Sequence, residues 1–356
     1  MSQKTMSRPA NTFFIDVLRQ AITDGEYANG ALLPSERKIA ADFNVGRSVV
    51  RNAMKELAAE GLIALIPHRG ATVNRNTNER KFRRFMFCCG MLRKFPEEML
   101  ALLSAVCMAA ANEHAEVLVS FSEESEIVLD INELANRIHQ GELQGVMILE
   151  NCSGDTLEAL KKYSIPYVII NQEAFYGGCS CRIDHRAIGR MAGSRLLQSK
   201  MPHYGSVTGN LNTLFFKEML AGFRGALAEE EIMLDRDLIF ELMPTFSDES
   251  YRSLVEFLRK APKPLALFAM RDVRAGFVCR ACAELGLQIP GDVSIIGYDN
   301  ISWSEGASMG LTTISQPVKE QALHSVKMLK KWYETGKEPA PAVVTGNLIE
   351  RTSIKC

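Results

Sequence analysis

Hydrophobic residues recur with the period of an α-helix in three consecutive segments at the start of the chain. A tight Asn-Val-Gly turn separates the second segment from the third, and the two short apolar runs that follow are typical of a β-hairpin. The pattern therefore predicts helices at about residues 13–22, 35–43 and 47–60 and strands at 62–66 and 71–73.

The pattern changes after residue 84. Apolar runs then alternate with longer stretches of helical periodicity, which is typical of a parallel β-sheet covered by helices on both faces. The predicted strands are 85–89, 117–121, 146–149, 167–170, 206–208, 265–269 and 293–298, and the predicted helices lie near 96–113, 124–140, 155–163, 187–199, 215–231, 248–260 and 272–285. Because this region holds about 270 residues, more than one hydrophobic core usually supports, we expect two α/β lobes.

A polar and aperiodic stretch separates the two patterns. We therefore predict an N-terminal domain over 1–74, a linker over 75–84 and a two-lobed domain over 85–356. The chain of 356 residues is 47% hydrophobic and 23% charged, which is ordinary for a globular protein. No apolar run reaches the roughly 18 residues of a membrane span, and the first residues lack the pattern of a secretory signal, so we expect a cytoplasmic protein.

Charge is distributed unevenly along the chain. Residues 1–84 carry 14 Lys and Arg against 8 Asp and Glu, a balance of +6, and residues 85–356 carry 27 against 34, a balance of −7. A basic head on an acidic body indicates a module that binds a polyanion, joined to one that does not.

The third predicted helix has two faces of opposite character. One face is apolar, and the other carries Arg47, Ser48, Arg51, Asn52 and Lys55. Arginine can pair with guanine and asparagine with adenine, while serine or lysine can hold a phosphate, so this face suits the major groove of DNA. A solvated amphipathic helix would show the same charge pattern, but the preceding helix and tight turn favour a helix-turn-helix.

The tip of the predicted hairpin carries a second candidate contact. His68, Arg69 and Gly70 place a cation on a narrow loop, which suits a minor groove, and a plain surface hairpin is the alternative.

Fixed spacings across the first domain are those of a known family. The motif LPSER at 33–37 and the motif EGLI at 60–63 frame the third helix, and residues 11–74 closely resemble the winged-helix DNA-binding domain of GntR regulators. The resemblance implies that Arg37, Arg47 and Arg51 contact DNA and that Arg69 and Gly70 lie in the wing. Gly46 departs from the serine usual in that family, and glycine is still an acceptable helix cap.

Segments of the remaining chain resemble the effector domain of LacI/GalR regulators, which is related to periplasmic sugar-binding proteins. The matching segments are IPYVIIN at 165–171, DHRAIG at 184–189, AGFRGAL at 221–227, LGLQIPGDVSIIGYDN at 285–300 and LTTISQP at 311–317. The combination of the two domains is similar to that in arabinose-repressor-like regulators. The resemblance implies an α/β fold with two lobes built on parallel sheets and joined by three crossovers, near 181–183, 300–303 and 338–341.

The same resemblance places a ligand in the cleft between the lobes. Its implied contacts are Asn171, Phe246, Arg271, Asp272, Asp299 and Gln316, a set whose carboxylates, amides and aromatic ring suit a sugar or polyol. Each has a structural alternative: Asp299 as the cap of a turn, Asp272 as the start of a helix, Phe246 as a core residue. Met219 stands where the family often carries a ligand-binding arginine, and Arg271 stands where it often carries asparagine. An arginine in the cleft favours an acidic or phosphorylated ligand.

Other kinds of site have no support in the sequence. The six histidines form no H-x-x-x-H pair, the C-x-x-C at 279–282 has no second pair, and no G-x-S-x-G, Walker or G-x-G-x-x-G motif occurs. We therefore expect no cofactor, metal or catalytic residue. The nine cysteines are odd in number and irregularly spaced, which favours free thiols.

Together these observations predict a transcription regulator, a repressor that binds a near-palindromic double-stranded DNA operator as a homodimer and responds to a carbohydrate effector. In such a dimer the two third helices lie about 34 Å apart in successive major grooves. Two alternatives stay open: a cytoplasmic sugar-modifying enzyme with a basic head, and a plain solute-binding protein with the same head.

Overall fold

The computed structural model describes residues 10–24, 26–28, 30–59, 62–66, 70–73, 82–89, 96–121, 127, 129–149, 152–171, 178–242, 247–301 and 310–355. The chain divides into two compact units, one up to Lys81 and one from Phe82.

The first unit is a small helical domain with a two-stranded hairpin. Its elements are α1 (Ala10–Asp24), α2 (Glu36–Asp42), α3 (Arg47–Ala59), β1 (Ile63–Ile66) and β2 (Gly70–Val73). Ser35 caps the N-terminus of α2, because its hydroxyl oxygen accepts a hydrogen bond of 3.3 Å from the backbone N–H of Lys38. Apolar side chains of all three helices meet the hairpin in one core, which holds Leu18, Ile39, Val50, Leu57 and Ile63. The predicted order of elements is confirmed.

The second unit alternates strands and helices. Its strands are β3 (Arg84–Cys89), β4 (Glu116–Phe121), β5 (Val146–Leu149), β6 (Tyr167–Ile170), β7 (Ser180–Ile183), β8 (His203–Thr208), β9 (Ile239–Glu241), β10 (Leu265–Ala269), β11 (Val293–Asp299), β12 (Thr312–Ser315), β13 (Ala342–Val344) and β14 (Leu348–Ile349). Its helices are α4 (Pro96–Asn112), α5 (Ile131–His139), α6 (Gly154–Lys162), α7 (His185–Leu197), α8 (Leu214–Glu229), α9 (Asp248–Lys260), α10 (Asp272–Glu284) and α11 (Val318–Thr335), with a 3₁₀ turn at Arg236–Leu238.

The strands form two six-stranded sheets, one in each lobe. Lobe 1 has the order β13-β7-β6-β5-β3-β4, and every pair in it is parallel. Lobe 2 has the order β14-β12-β11-β10-β8-β9, and among its described strands β14 alone runs antiparallel to its neighbour. Because the inner strands of a parallel sheet are covered by helices on both faces, strands such as β10 (Leu265–Ala269) and β6 (Tyr167–Ile170) are fully buried. The predicted α/β architecture with two lobes is confirmed.

Within the described residues, the chain passes between the two sheets at three points. These are residue 184, residues 316–317 before α11, and residues 345–347 between β13 and β14. The crossover expected at 300–303 is wrong, because β11 and β12 on either side of it pair in the same sheet, with Asp299 opposite Ser315. The crossover expected at 338–341 is also wrong, since it precedes β13, which still belongs to lobe 1.

Helices α7 and α8 pack against each other with almost no space between their backbones. A Cβ added at Gly222 would overlap the carbonyl oxygen of Arg186, and one added at Gly189 would overlap that of Met219. Glycine at these positions therefore lets the two helices approach closely, which gives a physical reason for the AGFRGAL segment.

Gly222→Ala is expected to lower the free energy of unfolding by about 1–3 kcal/mol, because the added methyl group pushes two backbones apart. Gly225→Ala is the matched control on the same helix, since its Cβ would meet only the Arg190 side chain at 3.4 Å. Alanine there removes the entropic cost of a helical glycine and should stabilise the protein by about 0.5–1 kcal/mol. Urea unfolding followed by circular dichroism measures both, and equal effects would contradict the close approach.

Among the described helices, none is both long and apolar enough to cross a bilayer. The eight described cysteines are free thiols, and of these Cys107 alone is exposed.

Candidate functional site

The predicted DNA-binding face of α3 is exposed, and the opposite face is buried. Val50, Ala53 and Leu57 are 0% exposed and pack into the core of the first unit. The side chains on the other face are open to solvent, and these are Arg47, Ser48, Arg51, Asn52 and Lys55. The helix therefore presents a row of cations, an amide and a hydroxyl at one surface, as the sequence pattern predicts.

An ion pair links α2 to the exposed face of α3. Arg51 donates to the Glu36 carboxylate through Nη2 at 3.0 Å and through Nε at 3.4 Å. The carboxylate raises the pKa of Arg51, whose guanidinium is charged in any case. What the pair adds is orientation, because it restrains the long side chain of Arg51. Glu36 lies inside the LPSER motif, but its role in this ion pair was not predicted from the sequence.

The predicted wing is described only in part. Gly70 begins β2, is exposed and has a φ of +100°, a conformation that other residues rarely adopt. His68 and Arg69 lie outside the described residues.

The structure brings three of the predicted cleft residues together in lobe 2. Arg271 follows β10, Asp299 ends β11, and Gln316 follows β12, so all three lie at the carboxyl edge of the sheet. Arg271 Nε donates to Asp299 Oδ2 at 2.7 Å, and Gln316 Nε2 donates to Asp299 Oδ1 at 2.7 Å. The Asp299 side chain is 0% exposed and that of Arg271 is 12% exposed. Ligands of parallel α/β sheets bind at this edge, so the cluster is a candidate effector site.

The backbone at this cluster adopts conformations that are costly for residues with a side chain. Arg271 has a φ of +114°, and Asp299 has a φ of +124°. Such residues cost of order 1–3 kcal/mol each and concentrate at binding sites, where the surrounding structure holds them. Both positions therefore support a functional role for the cluster.

Asp272 occupies a different environment from its neighbour Arg271. Its carboxylate is buried, accepts a hydrogen bond of 2.7 Å from the Thr313 hydroxyl and one of 3.3 Å from the backbone N–H of Ile301. Burial raises the pKa of Asp272, and these hydrogen bonds oppose the rise. The residue ties α10 to β12 and to the chain after β11.

The remaining predicted residues lie in other places. Asn171 follows β6 in lobe 1, has a φ of +58°, and its Oδ1 accepts a hydrogen bond of 2.6 Å from Gln321 Nε2. Gln321 also donates to the carbonyl oxygen of Cys181 at 3.2 Å, which joins α11 to both strands. Phe246 lies outside the described residues.

Two aromatic rings near Arg271, those of His185 and Phe215, were not predicted from the sequence. The rings of His185 and Phe215 lie 4.6 Å apart, and the Arg271 guanidinium lies 6.0 Å from the Phe215 ring centre. Burial lowers the pKa of His185 to about 4, helped by Arg182 and Arg271 and opposed by Asp184. The imidazole is therefore neutral near pH 7. The position of His185 in the DHRAIG segment, directly after a crossover, could have predicted that its ring lies near this site.

Comparisons with known proteins support both parts of the chain. Residues 14–73 match the family of bacterial regulatory proteins called the gntR family, and residues 195–354 match the periplasmic binding protein-like domain. The HTH-type transcriptional repressor PurR of Aliivibrio salmonicida is 37% identical over 141 residues, which are 40% of this chain and 42% of that protein. PurR of Pectobacterium carotovorum is 31% identical over 206 residues, 56% of this chain and 60% of that protein. The chain thus spans about half the length of these curated relatives.

Solved structures show the same fold at low sequence identity. The lac repressor dimer bound to operator and the anti-inducer ONPF has a TM-score of 0.61 at 19% identity, covering 77% of this chain and 94% of that one. A LacI family transcriptional regulator from Enterococcus faecium with bound ribose has a TM-score of 0.62 at 24% identity, covering 76% of this chain and 98% of that one. The two resemblances predicted from the sequence are confirmed: the chain joins a gntR-family helix-turn-helix domain to a two-lobed periplasmic binding protein-like domain.

Proposed function

We propose that this protein is a transcriptional repressor of the bacterial cytoplasm that binds double-stranded DNA through α3 and the hairpin, and that it is not an enzyme. The observation that carries the proposal is the exposed face of α3, where Arg47, Ser48, Arg51 and Asn52 project from a helix whose other face is buried. Base edges in the major groove are read by side chains of these types from the second helix of a helix-turn-helix. Relatives named as repressors support the same function.

A small molecule bound at the cluster of Arg271, Asp299 and Gln316 would control DNA binding. A ligand shifts a conformational equilibrium only by the difference in its affinity for the two states, so it must prefer one arrangement of the lobes. The regulator with bound ribose supports a carbohydrate or a carbohydrate derivative as the effector. The hydrogen-bonding groups of the cluster suit hydroxyl groups.

An exposed apolar surface in lobe 1 fits a second copy of this chain. Leu100 and Met108 on α4 are 54% and 64% exposed, and Val119 and Phe121 on the edge strand β4 are 38% and 52% exposed. Exposed apolar side chains on a helix and on the edge strand that it contacts mark protein–protein contacts, and a homodimer would match a near-palindromic operator. The related structure described as a dimer on its operator supports this occupant.

Met108→Asp is expected to yield monomers, because a carboxylate in an apolar interface would be buried without a partner. Light scattering during size-exclusion chromatography measures the mass. Met233→Asp is the matched control, since Met233 is 91% exposed in lobe 2 and outside the proposed surface. If Met108→Asp remains a dimer, the surface is wrongly assigned, although the proposal for α3 stands.

The proposed function is tested by selecting DNA fragments from the protein's own genome with the purified chain, then measuring binding by fluorescence anisotropy. We expect one or a few fragments with a near-palindromic sequence to bind at least a thousandfold more tightly than random duplex. Binding that is equally weak for every sequence and disappears with moderate salt would overturn the proposal, because it would reflect phosphate contacts alone.

A further inference from the structure

A half-exposed leucine lies where the hairpin extends beyond the core of the first unit. In the antiparallel pair of β1 and β2, Ile63 lies opposite Val73 and Leu65 lies opposite Ala71. Side chains two residues apart point to the same face of a strand, so Leu65 shares the face of Ile63. Ile63 is 2% exposed and packs in one core with Leu57 of α3, whereas Leu65 is 51% exposed. This face therefore passes from core to surface within one two-residue step, about 7 Å along the strand.

A second large apolar side chain follows directly. Ile66 ends β1 opposite Gly70 and is 36% exposed. Leu65 and Ile66 together form an apolar tip at the end of the hairpin. Neighbouring exposed apolar side chains of this size mark a surface that another molecule covers.

The charge of the first domain and its recognition helix indicate that DNA covers the apolar tip. Residues 1–84 carry a balance of +6, which suits a polyanion. Strand β1 packs directly against α3, whose exposed face carries Arg47 and Arg51. The apolar tip thus continues the DNA-binding surface of α3. When a helix occupies the major groove, a hairpin beside it reaches the adjoining minor groove, where leucine and isoleucine are known to act as apolar wedges.

Apolar side chains in a minor groove discriminate between base pairs without forming hydrogen bonds. A G·C pair differs from an A·T pair in this groove by the 2-amino group of guanine. Leucine cannot accept a hydrogen bond from that group, so covering it would bury an unpaired donor. TA steps are also easily deformed and make room for a side chain at low cost. An apolar contact therefore favours A·T pairs.

We propose that Leu65 and Ile66 contact the minor groove beside each major-groove half-site and require A·T pairs there, which makes Leu65 a specificity-determining residue. The inference rests on the proposed function, because it names a feature of the DNA that the same domain binds.

The first test changes the protein and measures its affinity for the selected DNA fragment. Leu65→Ser is expected to weaken binding about five- to tenfold, since half a leucine side chain is no longer buried, and to leave random duplex unchanged, since no charge is lost. Leu65→Met keeps an apolar side chain and should retain the affinity. Leu32→Ser is the matched control: Leu32 is 58% exposed and is bridged to Thr72 in the same small sheet, away from the apolar tip. Its affinity should equal that of the wild type.

The second test changes the DNA. Hydroxyl-radical footprinting locates the minor-groove positions that the protein covers. Replacing A·T pairs there by G·C pairs should weaken wild-type binding at least fivefold. Pairs of cytosine with hypoxanthine, which is guanine without its 2-amino group, should restore it, because they keep the major groove of G·C. Leu65→Ser should bind all three fragments equally within about twofold.

Four results would overturn the proposal: wild-type affinity in Leu65→Ser, equal binding of A·T and G·C fragments by the wild type, hypoxanthine pairs that bind as weakly as G·C pairs, or a Leu65→Ser chain that light scattering shows to be monomeric where the wild type is a dimer. The last result would assign the apolar tip to a contact between copies. The ratio of specific to random binding in the wild type separates these failures from that of the proposed function. A chain that binds its fragment specifically and tolerates G·C pairs would remain a repressor without this readout.

Discussion

Asp299→Ala is expected to abolish the response to effector and to lower the free energy of unfolding by about 3–5 kcal/mol, while specific DNA binding survives under conditions that keep the protein folded. The carboxylate pairs with Arg271 and accepts from Gln316, so alanine removes a buried negative charge that stabilises a nearly buried guanidinium. Effector response is measured as the change in affinity for the selected DNA fragment on adding the small molecule. Urea unfolding at several pH values measures the stability.

Two variants make this prediction specific. Asp237→Ala removes an exposed carboxylate from the same lobe and should change neither stability nor response. The double variant Asp299→Ala/Arg271→Ala removes both charges and should recover part of the lost stability, because the guanidinium that lost the Asp299 carboxylate is gone as well. A normal effector response in Asp299→Ala would show that the cluster is structural and that the effector binds elsewhere.

Arg47→Ala and Arg51→Ala are each expected to weaken specific DNA binding by about 1–3 kcal/mol, because each removes a guanidinium that can pair with a guanine or a phosphate. Binding is measured against the selected fragment and against random duplex at several salt concentrations. A base contact lowers the ratio of specific to random binding, whereas a phosphate contact lowers both and reduces the dependence on salt.

The matched control for both substitutions is Lys331→Ala, an exposed cation in the second unit, which should leave the two affinities unchanged. Glu36→Gln provides a second measurement, because it keeps the size of the side chain that restrains Arg51 but removes its charge. If the ion pair orients Arg51, the effects of Glu36→Gln and Arg51→Ala will not add. Unchanged binding in both arginine variants would refute the assignment of α3 as the recognition helix.

Local patterns predicted the first unit well. Each of its helices buries one apolar stripe, so the spacing of apolar residues such as Val50, Ala53 and Leu57 shows directly which positions enter the core. The cap at Ser35 is equally local, since donor and acceptor are three residues apart. The ion pair between Glu36 and Arg51 was not predicted, because it depends on how two helices pack and the sequence spacing of 15 residues does not determine that.

The second unit was predicted less completely. Helix α11 was missed, and its buried residues Val326, Leu329 and Trp332 join lobe 1 although the preceding strand belongs to lobe 2. Strand β7 mixes polar and apolar residues, and β13 is only three residues long, so their periodicity is weak. These omissions explain why two crossovers were misplaced.

The candidate effector residues came from a resemblance, which gave positions but no contacts. The sequence could not indicate that Asp299 would be enclosed by Arg271 and Gln316, since these residues lie 28 and 17 positions away. It also did not predict the burial of Arg274, because a charged residue in the first turn of a helix is usually solvated. Its burial depends on Gly209 and Phe216, which the fold brings to it from another strand and helix.

Gln316 is the residue at which the second crossover begins, and His185 opens the helix that follows the first. The side chains that would sense a bound molecule are therefore continuous in the backbone with the hinges of the two lobes. A ligand that displaces Gln316 from Asp299 would change the backbone conformation at the crossover directly. Effector binding could then change the arrangement of the lobes without any rearrangement of core side chains. Regulation of this chain would then be most sensitive to substitutions in a few hinge residues, such as Pro317, that contact neither the effector nor DNA.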